Sequence, residues 1–381
     1  MNSRERVLAV LNRTGADRIP RDMGGTPVST ISKTAYDNLR AHLGMTPDDA
    51  PDFMSFSGQS VRPKADLLEH FGIDTRSVQA APGKGWSLKL EQKDGYEQFY
   101  DEWGIGFRRP LNSKLYYDLF DNPLADEEED VTLAYPFPDP LDRNRIAGLR
   151  DKAQAYRDAG YAMCFAGSIG YGQMHNLTYL MGFEDFFMKI LAEPDETRQL
   201  LQKSLDNKLA FWEMALGEMG DLVDVVYEPD DLGMQNGPLF NPELYREAVK
   251  PFHKELFAFI KKKAPQAKIF LHCCGAITDF IPDFIEIGVD ALNPVQISAV
   301  GMEPEKIKRE FGKDIVFWGG AIDTQNVLPK ASPAEVKEQA KRNISILSEG
   351  GGYIMNTVHN IQADVPPENI VALFEAVQEV G

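Results

Sequence analysis

The stretch Lys268-Ile-Phe-Leu-His-Cys-Cys-Gly275 decides how this chain reads. A charged residue opens it, an apolar run follows and glycine ends it, the pattern of a buried strand stopping at a turn. Successive side chains of a strand point to opposite faces, so His272 and Cys274 share one face and Cys273 takes the other. An imidazole and a thiol side by side at a strand end can hold one soft-to-borderline metal ion such as zinc. The plainer alternative is that His272 caps the strand by hydrogen bonding and Cys274 is a small buried side chain.

Outward from this stretch one unit repeats. A helix over 242–263 leads into it. Helix 279–287 leads to strand 290–295, helix 303–311 to strand 315–319, helix 333–348 to strand 352–358, and helix 366–378 closes the chain. Upstream, helix 144–159 leads to strand 161–166, and helices 184–193 and 195–219 lead to strand 222–228. Strands alternating with helices at this spacing make βαβ units and a parallel sheet. Two earlier strands, 18–25 and 74–79, bring the count to eight and predict a closed (β/α)8 barrel. A helix over 3–13 that Ser3 can cap forms an N-terminal extension, with further helices over 33–43 and 63–71. Residues 84–110 break the rhythm: Trp86 starts an alternating run, Lys93-Asp94-Gly95 is a turn signal, and the residues after it are aromatic-rich. These predict an inserted antiparallel hairpin. Its aromatics Trp86, Tyr96, Phe99, Tyr100, Trp103 and Phe107 either lid a cavity or form the hairpin's own core. The acidic run 126–130 reads as a solvated loop. The whole of 1–381 reads as one barrel domain, with the insertion spanning about 84–142.

Composition narrows the function. The 381 residues are 43% hydrophobic and 26% charged, ordinary for a globular protein, and carry a net charge of −18. That charge argues against nucleic acid and against an anionic membrane surface as partners. Three cysteines, two of them adjacent, are no disulfide framework, and the apolar stretch 7–11 is too short for a signal peptide, so the reading is a reducing cytoplasm. The dinucleotide fingerprint and the phosphate-binding loop are both absent; Gly350-Gly351-Gly352 precedes a strand and reads as a helix stop.

Active sites of such barrels lie at the C-terminal strand ends. Those ends carry Met23, Gly24 and Gly25; Ser168 with His175 in the loop beyond; Tyr227, Glu228, Asp230, Asp231 and Gln235; His272 and Cys274; Asn293 and Gln296; Trp318, Asp323 and Gln325; and Asn356, Thr357 and His359. Polar groups gather there above apolar strand bodies. His272, Cys274 and His359 can make a three-ligand site with an open fourth position, the arrangement of catalytic zinc, and Glu228 is a possible further ligand. Asp230-Asp231 reads as an acid/base pair, as a carboxylate cluster, or as the cap of the following turn. Cys164 reads as core, and His42, His70 and His253 as surface or core residues of helices.

Glu228-Pro-Asp-Asp-Leu-Gly-Met-Gln235, His272-Cys-Cys-Gly275, Gly288-Val-Asp-Ala-Leu-Asn-Pro-Val-Gln296, Trp318-Gly-Gly-Ala-Ile-Asp323 and Pro366-Pro-Glu-Asn-Ile370 together carry a resemblance. From about residue 4 to 378 the chain resembles the uroporphyrinogen decarboxylase superfamily, and within it the cobalamin-dependent methyltransferase branch. The resemblance implies a (β/α)8 barrel with an N-terminal extension. It implies zinc at His272 and Cys274, with His359 where the branch has a later cysteine, and a methyl group moved between a small methyl donor or acceptor and cobalamin on a separate corrinoid protein. The extra histidine favours a methyl ether over a thiol as substrate. Asp231 and Glu228 are then expected at the chemistry, and Met23, Gln235, Asn293, Gln296, Trp318, Asp323 and Asn356 around the substrate. The superfamily's arginine-rich N-terminal segment is replaced here by Arg18-Ile-Pro-Arg-Asp-Met-Gly-Gly25, a departure that argues against a tetrapyrrole substrate. The other readings are a cofactor-free decarboxylase of a smaller acid, with Asp231 or Asp22 as proton donor, and a non-catalytic barrel-type binding protein.

Overall fold

Seven parallel strands follow one another around a curled sheet in chain order: β1 Thr75–Val78, β2 Ala162–Phe165, β3 Val225–Pro229, β4 Lys268–His272, β5 Ala291–Asn293, β6 Val316–Trp318 and β7 Tyr353–Ile354. This is a computed structural model, and it describes every residue except Ser168. The eighth place is filled by residues 20–22. On one side Asp22 N–H donates to Met355 O and Met355 N–H to Pro20 O, both at 2.9 Å; on the other Asp74 N–H donates to Arg21 O at 2.9 Å. The expected first strand is therefore a single parallel bridge between Arg21 and Met355. Pro20 has no N–H to extend the ladder, and Gly24, at φ +90°, turns the chain away. With that stave in place the molecule is a (β/α)8-type barrel.

Side-chain alternation builds two cores. Ala162, Cys164, Val225, Tyr227, Phe270, Ala291, Val316, Trp318 and Ile354 pack together inside the ring; the intervening residues join the larger core beneath the outer helices. The helix Ser3–Leu11 adds Val7, Val10 and Leu11 to the inner group and so plugs the N-terminal end of the barrel. Its cap is Asn2, one residue earlier than expected, in a reciprocal capping box with Glu5.

The long helices fall where periodicity places them, notably Pro194–Met219, Pro333–Ser348 and Pro367–Val380. The helix expected over 242–263 carries a π-helical segment at Tyr245–Val249; Pro251 lacks the N–H that a regular α-ladder would use. The inserted hairpin is a four-stranded antiparallel sheet, Glu91–Lys93, Tyr96–Tyr100, Gly106–Pro110 and Asp118–Asp121. Its aromatics are mostly core: Phe99, Trp103 and Phe107 are buried, with Phe99 and Phe107 stacked at 5.5 Å. The last two residues of the acidic run open a short helix, Glu129–Ala134, pinned by Thr132 Oγ1 donating to Glu196 at 2.7 Å.

Candidate metal centre

One potential ligand atom from each of His272, Cys274 and His359 lies within 4.8 Å of the others. His272 ends β4, Cys274 follows it by two, and His359 stands in the loop beyond β7; the curl of the sheet brings the two ends across one mouth. His272 Nε2 is 3.3 Å from Cys274 Sγ, and the two imidazoles meet edge to face with centroids 5.2 Å apart.

The tautomer of His272 is fixed by its neighbour in the ladder. His272 pairs with Asn293 in β5. The Asn293 amide nitrogen donates to Trp318 O at 2.8 Å, which turns its oxygen toward His272 Nδ1 at 2.6 Å. His272 Nδ1 therefore carries the proton, and Nε2 presents a lone pair toward Cys274. His359 adopts φ +65°, a left-handed conformation that a histidine holds only under constraint. The constraint is local: Asn360 N–H donates to His359 Nδ1 at 2.8 Å, Thr357 Oγ1 donates to the His359 carbonyl, and the Asn360 amide accepts from Thr30 N–H and donates to Pro27 O, both at 2.8 Å. Burial pushes both imidazoles down, His359 to about 4, so both are neutral at pH 7, the form that donates to a metal.

Asp231 sits beside this group. Its Oδ1 accepts from the Cys274 N–H at 2.7 Å and lies 3.8 Å from His272 Nε2. Burial pushes the Asp231 carboxyl up, but His272, His175 and the Cys274 N–H together hold it below the ordinary carboxylate range. Burial and the charge of Asp231 push up the Cys274 thiol and the hydroxyls of Tyr227 and Tyr179, the latter to about 12. Tyr179 belongs to an aromatic wall with Tyr171, at 4.8 Å, and His175, at 5.3 Å. The wall is not legible in the sequence because two of its members ride on a short helix, His175–Met181, whose i, i+4 spacing puts His175 and Tyr179 on one face, while Tyr171 reaches them from the preceding loop.

The adjacent carboxylates divide their roles. Asp230 is fully buried and accepts from Met174 N–H at 2.7 Å, His175 N–H at 2.8 Å and His253 Nε2 at 2.8 Å. The two histidines hold its carboxyl well below the usual range despite burial. Asp230 is thus a clamp between the loop after β3, the helix at His175 and the long helix bearing His253. His253 is core, as expected, with this added structural duty.

Several expected site residues lie elsewhere. Glu228 alternates away from the mouth: Oε2 accepts from Lys208 Nζ at 2.8 Å and Oε1 from Trp212 Nε1 at 2.6 Å, both on the helix Pro194–Met219. It is neither ligand nor acid here, because Tyr227 holds the inward register. Trp318 fills the barrel interior, its indole N–H donating to Asp22 at 2.8 Å. Asn356 fastens the loop after the eighth stave, donating to Asp22 O at 2.8 Å. Met23 is buried in the outer core. Asp323 caps its own turn, accepting from Gln325 and Asn326 N–H at 2.8 and 3.0 Å. Gln296 accepts from Gly275 N–H at 2.9 Å and donates to Gln235 at 2.8 Å, so this pair stands at the rim of the His272–Gly275 turn. Asn293 acts through His272, and Ser168 lies outside the described residues.

The sequence profile of the family described as Uroporphyrinogen decarboxylase (URO-D) matches residues 119–380. The chain belongs to the uroporphyrinogen decarboxylase family. Relatives named uroporphyrinogen decarboxylase include one from Legionella pneumophila (strain Corby), 25% identical over 149 residues, 38% of this chain and 39% of that one. Another, from Pelodictyon phaeoclathratiforme (strain DSM 5477 / BU-1), is 26% identical over 140 residues, 35% of this chain and 37% of its own. The chain thus matches well under half the length of these relatives. Among solved structures, a methyltransferase from Methanosarcina mazei shares the fold at a TM-score of 0.67, with 16% identity, covering 100% of this chain and 99% of that one. In this uroporphyrinogen decarboxylase family member Arg18 and Arg21 face away from the mouth. Arg18 pairs with Asp74 at 2.8 Å and Arg21 donates to Phe71 O at 3.1 Å, both before β1 begins.

Proposed function

We propose that this chain is a zinc-dependent methyltransferase that moves a methyl group between a small substrate, a methyl ether or a thiol, and cobalamin on a separate corrinoid protein. The observation that carries the reading is the convergence of His272, Cys274 and His359 within 4.8 Å at the C-terminal mouth of the barrel. Two neutral imidazoles and a thiolate, Cys274 releasing its proton as the metal binds, would be donors that zinc takes, and a catalytic site needs three of them with one position left open. Family membership and the fold shared with a methyltransferase support it. Zinc bound there supplies a Lewis acid for the substrate's oxygen or sulfur. The chain's own residues do the rest. Asn293 holds His272 in its donor tautomer, Asp231 fixes the main chain of Cys274 and sets a negative charge beside the ligands, and Tyr179 and Tyr227 wall the site.

The test is zinc content by atomic absorption and methyl transfer to cob(I)alamin followed spectroscopically. Stoichiometric zinc that disappears in H272A and C274A supports the site; unchanged metal content in those variants sinks it. The names of the relatives favour a second reading, decarboxylation of a smaller acid. Of its two candidate acids, Asp22 is sealed in the barrel, accepting from Thr75 Oγ1 at 2.5 Å and from Trp318, which leaves Asp231. Carbon dioxide release that survives a chelator would establish that reading instead.

A further inference from the structure

A cavity of about 540 Å³ opens between the inserted four-stranded sheet and the ends of β1 and β2, and none of His272, Cys274 and His359 lines it. Its size falls within the roughly 300–1,000 Å³ of small-ligand sites. Aromatic rings form much of its wall: Phe53 and Phe56 from one side, Trp86 and Phe99 from the insert. Phe56 packs edge to face against Phe53 at 5.3 Å and Phe99 at 5.4 Å, a fixed aromatic floor.

The charges of the cavity are unevenly matched. Arg145 is held by Glu102 at 2.8 Å and Arg62 by Asp52 at 2.8 Å. Asp101 accepts from the Trp103 and Ile105 N–H groups, both at 2.9 Å, and from Tyr171 Oη at 2.6 Å. Lys152, on the helix Leu149–Asp158, lines the same cavity half-buried, and its ammonium makes no hydrogen bond or ion pair among the described residues. Burial and the neighbouring Arg62 charge both press its pKa down, with Asp52 only partly offsetting them. A half-buried cation beside a second cation, without a counter-charge of its own, is relieved by an anion. Lys152 is the one lining cation without a carboxylate on it among the described residues, so a single negative charge placed at its ammonium matches it, whereas a dianion would also meet Asp52, Glu102 and Asp101.

We propose that this cavity binds a flat aromatic monoanion, its carboxylate against Lys152 and Arg62 and its ring among Trp86, Phe53 and Phe56. The site shares no ligand with the metal centre; Tyr171, which lines it, packs on Tyr179 of the metal centre's aromatic wall at 4.8 Å. The experiment is a titration of the full chain with benzoate, read by tryptophan fluorescence, since Trp86 and Trp103 both line the cavity. Saturable quenching is expected, weakened about ten-fold or more for benzamide and in K152A, because each removes a charge-assisted contact. K152R keeps the charge and keeps the binding, which separates lost charge from lost fold. H272A binds benzoate as the unaltered chain does. Absence of saturable quenching, equal affinity for benzamide, or unchanged affinity in K152A overturns the proposal. So does loss of benzoate binding in H272A, which would move the anion to the metal cluster.

Discussion

Asn293 and Glu228 are neighbours of the same mouth with opposite fates, and single substitutions tell them apart. Asn293 touches no expected ligand but His272, whose ring it orients from 2.6 Å. N293A frees the ring to rotate and to change tautomer, so zinc affinity in a chelator competition should fall about 10–100-fold while stability changes little. Equal affinity would show that the ladder geometry alone orients His272. Glu228 is the converse. E228Q withdraws the charge facing the buried Lys208 ammonium, so denaturant unfolding should register a loss of roughly 3 kcal/mol with zinc stoichiometry unchanged. The distinction was open to a strict count along β3. With Tyr227 facing inward, period-two alternation sends Glu228 outward, although a carboxylate at a strand end is also the residue type a site uses. His272 and Cys274 were legible by the same parity rule. The Asn293 contact was not, because it depends on the register between two strands.

At the scale of elements, the inserted sheet is tied to the barrel through a carboxyl. Asp101 lies between strands of the insert and accepts from Tyr171 in the loop after β2. Burial raises its pKa from 3.8 to about 6, against the pull of the Tyr171 and backbone donors. For an acid raised on folding, the neutral form is the one the fold prefers. Stability is therefore full below the unfolded value and declines as pH rises from about 4 to about 6, by about 3 kcal/mol at most. D101N should remove that slope: thermal melts at pH 4 and pH 7 should differ by less than in the unaltered chain. A slope unchanged in D101N would assign the titration to another group. The insert shows where periodicity stops informing. Its turn at Asp94-Gly95 and its aromatic alternation announce a hairpin, and Gly104, at φ +76°, turns the next loop, but Asp118–Asp121 pairs with Gly106–Pro110 across residues 111–117, which hold no glycine to mark a turn. The outer helices, 14 to 26 residues long in the clearest cases, were legible because each shows a full apolar face. The seven-residue helix at His175 is buried nearly all round, so no periodic contrast marked it.

At the scale of the molecule, the ring closes through a stave that is barely a strand. Residues 20–22 are held on the β1 side by Asp74, a side chain with no exposure, which accepts from Arg6 at 2.7 Å, Arg18 at 2.8 Å and the Arg21 N–H at 2.9 Å. One carboxylate thus joins the N-terminal helix, the closing stave and β1 at the end of the barrel far from the metal cluster. Eight strands could be counted in the sequence, but this node could not, since its members are separated by up to 68 residues. D74N leaves the guanidinium groups of Arg6 and Arg18 facing a neutral amide, and should lower stability by roughly 3–5 kcal/mol with an unchanged denaturant slope. The same stave runs on into the loop whose Thr30 N–H is bonded by Asn360, next to His359. If closure at Asp74 sets the position of that loop, zinc affinity in D74N should fall together with stability, although the substitution is at the opposite end of the barrel. A destabilised D74N that binds zinc as tightly as the unaltered chain would mean that β7 alone positions His359 and that the closing stave serves only stability.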